Sequence, residues 1–158
     1  MYILVFTCLN VRAIHLELLP DMSCAQFLLA FVRFANLHCI PDKVYSDNAS
    51  TFLLAMGILK NSSIDDDFSE YLTKNNVKHI RIPFYSAWIG SMWERMIRSI
   101  KSCLSKTVGR KQLEYFNFKT VLSDVTNALN SRPLTYRNND DPSYDVLTPN
   151  SFLKLDNG

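Results

Sequence analysis

Two carboxylates stand out by what surrounds them. Asp47 follows the short run Lys43-Val44-Tyr45-Ser46 and precedes the polar Asn48. An acid at the C-terminal tip of a buried strand lies where open α/β sheets place their ligands. The competing reading is a turn-forming Asp-Asn pair. Glu94 is an isolated acid ahead of a basic stretch: Arg95, Arg98, Lys101, Lys106, Arg110 and Lys111 follow with no acid through Leu113. Taken alone, it reads better as part of a solvated helix face favoured by the N-terminal helix dipole. Asp47 changes that weighing. Magnesium binds hard oxygen ligands and takes one or two protein carboxylates, completing its shell with water and phosphate oxygens. Asp47 and Glu94 would supply them, with the basic side chains holding phosphates, if the helix start packs over the strand tip.

Other groupings read as ordinary structure. Asp65, Asp66 and Asp67 follow Ser63, and acids behind an N-cap serine complement the helix dipole, which explains the run better than a metal cluster does. Cys8, Cys24, Cys39 and Cys103 are widely spaced with no C-x-x-C pair. They read as core thiols in a reducing intracellular compartment, nuclear or cytoplasmic, and not as a disulfide frame. His15, His38 and His79 lack the spacing of a structural zinc site. His15 and Glu17 read as rim residues of a strand, and His38-Cys39 as a helix end.

The positioning elements follow from apolar patterning. Runs 2–9 and 13–19, parted by Asn10-Val11-Arg12, predict an antiparallel hairpin. The first run is apolar on both faces and is expected inside a sheet covered on both sides. Ser23 and Gln26 fit a capping box, and Phe27, Leu28, Phe31, Phe34 and Ala35 continue at helical spacing to His38-Cys39. Residues 43–46 form a short strand. The stretch 51–59 is ambiguous, and a helix after Ser63 buries Ile64, Phe68, Tyr71 and Leu72. A strand covers 77–82 and an aromatic loop 83–90. From about Ser91 a long helix buries Trp93, Met96, Ile97, Ile100, Leu104 and Val108, with Gly109 as its stop. Asn117 caps the next helix, which carries Phe118, Val121, Leu122, Val125, Ala128 and Leu129 and ends at Arg132-Pro133. A short helix is expected near 148–153.

This order predicts a mixed α/β sheet domain, a single one over residues 1–158 because the length has room for one core. Apolar residues at 47%, charged residues at 20%, four Gly and six Pro exclude disordered, collagen-like and low-complexity chains. A net charge of +2 is too small to mark a nucleic-acid binder, so local clustering of charge matters more than its sum. No apolar run approaches the roughly 20 residues that span a bilayer. The run 1–9 lacks the basic lead of a signal peptide and reads as a strand.

Three collinear segments closely resemble the catalytic core of retroviral-type integrases, nearest to the Bel/Pao class of long-terminal-repeat retrotransposons. They are Tyr45-Ser46-Asp47-Asn48, Trp88-Ile89-Gly90-Ser91-Met92-Trp93-Glu94-Arg95, and Asn130-Ser131-Arg132-Pro133-Leu134-Thr135-Tyr136. Phe6-Thr7-Cys8 with Arg12-Ala13-Ile14-His15-Leu16-Glu17, and Leu147-Thr148-Pro149 with Phe152-Leu153, match the same class. The resemblance implies a ribonuclease-H-like α/β fold, a mixed sheet flanked by helices, and three acids (Asp, Asp, Glu) holding two magnesium or manganese ions. Asp47 matches the second acid and Glu94 the third. Their interval is longer than retroviral integrases use, the surplus fitting an insertion around 55–67. Ser91 and Ala49 stand where the family has glycine, a stiffer choice for a loop. The family's first Asp lies on a central strand preceding run 2–9, so an N-terminally truncated core, inactive alone, is expected.

The implied activity is DNA integration: metal-dependent 3′-end processing, then strand transfer, by in-line displacement at phosphorus. Implied partners are the element's DNA ends, target DNA and further copies of the chain, with no membrane. Asn48, Arg95, Arg98 and Lys101 would contact nucleic acid, and Tyr85 and Trp88 in the loop would stack on unpaired bases. The segment 130–136 reads as structural, with Arg132 clamping a loop or another subunit. The alternatives are a non-catalytic DNA- or protein-binding remnant of a domesticated or decayed element, and a nuclease of the same fold acting on RNA–DNA hybrids.

Overall fold

Ile3, Leu4, Val5 and Phe6 form an unbroken apolar run rich in strand-favouring residues. It is the middle of β1 (Tyr2–Thr7), which pairs with β2 (Ile14–Leu19) in a two-stranded sheet. The connection between them is too short for a parallel crossover. It is closed by the Cys8 N–H on the Ala13 carbonyl at 2.8 Å and the Arg12 N–H on the Cys8 carbonyl at 3.0 Å. The computed structural model describes residues 1–46, 70–81, 87–135 and 146–153.

Burial in this hairpin differs from the expectation. β2 is the deeply buried strand, with Ile14, Leu16, Leu18 and Leu19 all in the core, while β1 is half-buried and Tyr2 exposed. Among the described strands β1 has a neighbour on one side only, so its apolar composition does not place it inside a covered sheet here. His15 and Glu17 are not rim residues either. β2 is covered on both faces, so Glu17 is buried and His15 nearly so, and His15 Nε2 lies 3.2 Å from Glu17 Oε1. The His15 ring also packs on Phe6, with centroids 6.1 Å apart. A buried acid needs such a partner.

The chain divides into two compact units, the first Met1–Ile3 with Leu19–Ser91 and the second Leu4–Leu18 with Met92–Gly158. In the first, α1 (Cys24–His38) starts where the Ser23 side chain accepts the Gln26 N–H at 3.4 Å. Asp21, not Gln26, accepts the Ser23 N–H, at 2.8 Å. Hydrogen bonds from the side chain and backbone of Ser23 hold the Asp21 carboxyl below its ordinary range. The helix stops at Cys39, whose positive φ of 67° takes the chain out of helical conformation. Phe31 is the core of this unit. It is fully buried, flanked by Phe27 and Phe34 and met edge-on by Tyr71 at 6.0 Å. Phe31→Ala is expected to cost about 3–5 kcal/mol, read as a lower urea midpoint.

Residues 70–74 are helical and bury Leu72. The Asn75 side chain donates to the Tyr71 carbonyl at 2.8 Å, and Asn76 takes the left-handed conformation that ends a helix. The chain then enters β4 (Lys78–Arg81), parallel to β3 (Lys43–Ser46) in the register Lys43↔Lys78 to Ser46↔Arg81. Ser46 is buried, its hydroxyl 2.9 Å from His79 Nε2. This places the backbone of β3 up to the residue before Asp47.

In the second unit run most of α2 (Ala87–Val108), α3 (Tyr115–Asn130) and the short α4 (Pro149–Leu153). α2 begins before Ser91 and incorporates Gly90, a residue that costs about 1 kcal/mol in a helix interior but does not stop one. It ends at Gly109, whose φ of +60° suits glycine. Met96 and Ile100 are buried, and Trp93, Ile97, Leu104 and Val108 half-buried. α3 starts at Tyr115, with Glu114 at the cap position making no side-chain bond, so Asn117 is not its cap. Leu122 and Val125 are its buried residues of the expected stripe, whereas Ala128 is exposed. An antiparallel bridge joins Thr135 to Leu147 ahead of α4.

Cys8 and Cys39 are exposed and Cys103 half-buried, all three free. They are therefore not the core thiols expected: two sit at the edges of elements, in the hairpin turn and after α1. No helix among the described residues is long and apolar enough to cross a membrane.

Candidate nucleic-acid interface

At 100° per residue, Arg95, Arg98 and Lys101 fall on the side of α2 opposite its buried Met96 and Ile100, and Glu94 shares their arc. All four are exposed, and none makes an ion pair with a described residue. Like charges three residues apart on a helix repel. A row of them that forms no ion pair among the described residues is a surface whose field is available to an anion.

Glu94 is the eighth residue of α2 and lies outside its first turn, which carries no acid. The helix-dipole account of this residue therefore fails, because that effect dies away within the first turn. What remains is an exposed carboxylate with two hard oxygens and no ionic partner among the described residues, ahead of three cations. In kind it suits a magnesium ligand. No group of three His, Cys, Asp or Glu among the described residues is placed to hold a metal.

The other sequence-derived site residues divide sharply. Trp88 belongs to the first turn of α2 and not to a loop. Asp47, Asn48 and Tyr85 lie outside the described residues, as do the stretch 51–59, Ser63, Asp65, Asp66 and Asp67.

The segment beginning at Asn130 acquires a definite role. Asn130 is 1% exposed, and its amide makes two bonds to a single residue of β2. Asn130 Oδ1 accepts the Ile14 N–H at 2.8 Å, and Asn130 Nδ2 donates to the Ile14 carbonyl at 2.8 Å. The side chain thus satisfies Ile14 as a neighbouring strand would. Arg132 extends the connection, donating to the Leu129 carbonyl at 2.5 Å and the Arg12 carbonyl at 2.6 Å. Burial, then the charge of Arg12, lowers the Arg132 pKa from its ordinary value. Together the two side chains fasten the end of α3 to the hairpin turn and the first residue of β2. The loop that Arg132 clamps is that turn.

Among solved structures, the chain matches the catalytic core domain of BIV integrase with a TM-score of 0.64 at 16% identity, over 96% of this chain and 84% of that one. It matches the HTLV-2 integrase core, solved with magnesium in a dimeric form, with a TM-score of 0.60 at 18% identity, over 85% and 76%. A chain of the simian T-cell lymphotropic virus intasome matches with a TM-score of 0.70 at 14% identity. There this chain is covered over 97% and spans about half of its counterpart, 48%. No family model and no curated protein matches the sequence. The fold is that of retroviral integrase catalytic cores, a ribonuclease-H-like mixture of small sheets and flanking helices.

Proposed function

We propose that this chain is the core of an integrase-type polynucleotidyl transferase acting on DNA ends, of the Bel/Pao retrotransposon kind. The observation that carries the reading is the exposed face of α2, where one carboxylate precedes three cations, none in an ion pair among the described residues, in a chain with an integrase-core fold. Asp47 and Glu94 would hold magnesium or manganese, which when bound supplies charge neutralisation at phosphorus and activation of the attacking oxygen. The HTLV-2 core solved with magnesium supports this choice of ion. Arg95 and Arg98 offer planar, bidentate donors to phosphate oxygens, and Lys101 a point charge. Asn48, Tyr85 and Trp88 complete the DNA contacts, with the two aromatic residues stacking on unpaired bases. The dimeric and trimeric forms of the HTLV-2 core support further copies of the chain as partners. The resemblance adds one further Asp to the acids that would hold these ions. The place of action is intracellular, nuclear or cytoplasmic.

The test is binding of a labelled duplex end over a range of salt. Changing Arg95, Arg98 or Lys101 to Gln is expected to reduce the slope of log K against log salt by about 0.9 for each phosphate no longer neutralised. A slope that stays at the wild-type value in all three variants rejects DNA as the ligand of this face.

A further inference from the structure

The corner between α2 and α3 carries side chains that the Glu94 end does not use. Lys106 lies in the last turn of α2, Arg110 and Lys111 follow Gly109, and Tyr115 and Phe116 open α3. All five are exposed, Phe116 at 79%. The rings of Tyr115 and Phe116 meet edge to face with centroids 5.5 Å apart. None of the three cations pairs with an acid among the described residues. Glu114 is the one acid between Arg95 and Ser123.

A single exposed apolar side chain is normal on a protein surface. An exposed aromatic pair inside one corner with three unpaired cations is a different matter. Cations that follow a backbone, together with ring faces on which bases stack, are the two parts of a single-strand binding platform. A duplex would use the cations but keeps its bases stacked on one another, and an acidic peptide has no need of the ring faces. The position of Lys106 adds continuity. Eleven residues after Arg95 it returns to nearly the same angle on α2, roughly 16 Å farther along the axis. The basic row of Arg95, Arg98 and Lys101 therefore leads toward the corner.

We propose that the α2–α3 corner binds single-stranded nucleic acid, with Lys106, Arg110 and Lys111 on phosphates and Phe116, supported by Tyr115, stacked on a base. This deepens the proposed function by naming a strand contact remote from Glu94, and it rests on that reading for the path by which the strand arrives.

The experiment is fluorescence anisotropy of a short labelled oligothymidylate with the full chain, repeated with an abasic strand of equal length and charge. Phe116→Ala and Phe116→Leu, neither of which removes a buried side chain, are each expected to weaken binding of the oligothymidylate about tenfold. Both are expected to leave the abasic strand and a duplex end unaffected. Lys111→Gln is expected to lower the single-strand salt slope by about 0.7. The inference is overturned if both Phe116 variants bind oligothymidylate like wild type, or lose as much affinity for the abasic strand. It is equally overturned if polyglutamate displaces oligothymidylate as well as unlabelled oligothymidylate does, which would make the corner an acidic-peptide site. Failure of the proposed function reads out separately, as duplex-end binding indifferent to Arg95→Gln, Arg98→Gln and Lys101→Gln.

Discussion

Asp47→Asn or Glu94→Gln is expected to lower magnesium-dependent strand transfer by about a thousandfold or more. Each change keeps the side chain's shape and removes its charge. A carboxylate that holds a divalent ion at a phosphoryl-transfer site is responsible for several kcal/mol of transition-state stabilisation, and each 1.36 kcal/mol is a factor of ten in rate. Duplex binding should change little, because Arg95, Arg98 and Lys101 remain, so the defect belongs to the chemical step. Transfer is read on a gel as joining of a labelled 3′ end to a target duplex. Full activity in both variants would reject Asp47 and Glu94 as the acids that hold the metal. Tight DNA binding by a wild-type protein that never transfers strands would favour the non-catalytic remnant.

Asn130→Leu is expected to destabilise the protein by about 2–5 kcal/mol. The substitution keeps the branching of the side chain but enlarges it, and strips two buried main-chain groups of Ile14, one N–H and one C=O, of their partners. An unsatisfied buried donor or acceptor costs about 1–3 kcal/mol. Asn130→Asp offers no relief, since its carboxylate accepts the Ile14 N–H but faces the Ile14 carbonyl with no proton to give. Arg132→Gln, at a half-buried position, is expected to cost less. Urea denaturation measures the loss, and amide exchange at Ile14 localises it. Asn130→Leu within 1 kcal/mol of wild type would show that apolar packing alone holds the hairpin to α3.

How much of this was legible beforehand depends on whether the deciding interactions are local. α1 could be read because its cap, its apolar spacing and its stop all lie within one stretch of chain. The basic row of α2 was equally open, since 3.6-residue periodicity is a property of neighbours. The start of α2 was not: Gly90 and the aromatic residues before it favour a loop on propensity, and tertiary context overrides so weak a preference. α3 begins at Tyr115 without a side-chain cap, although Asn117 is by type the better capping residue. Long-range effects were hidden altogether. Nothing near His15 and Glu17 in sequence tells that β2 is covered on both faces. Nor does anything near Asn130 show that its amide reaches a main chain 116 residues away. The same limit applies to the proposed pairing of Asp47 with Glu94, which residue type and order suggested but adjacent residues do not determine.

That pairing is tested most directly by titrating the chain with Mn²⁺ and counting bound ions by electron paramagnetic resonance, with Asp47→Asn and Glu94→Gln run alongside. The expected result is a site in the wild-type protein that either substitution weakens by more than about tenfold. A site of unchanged affinity in both variants would contradict a shared ion at these two carboxylates.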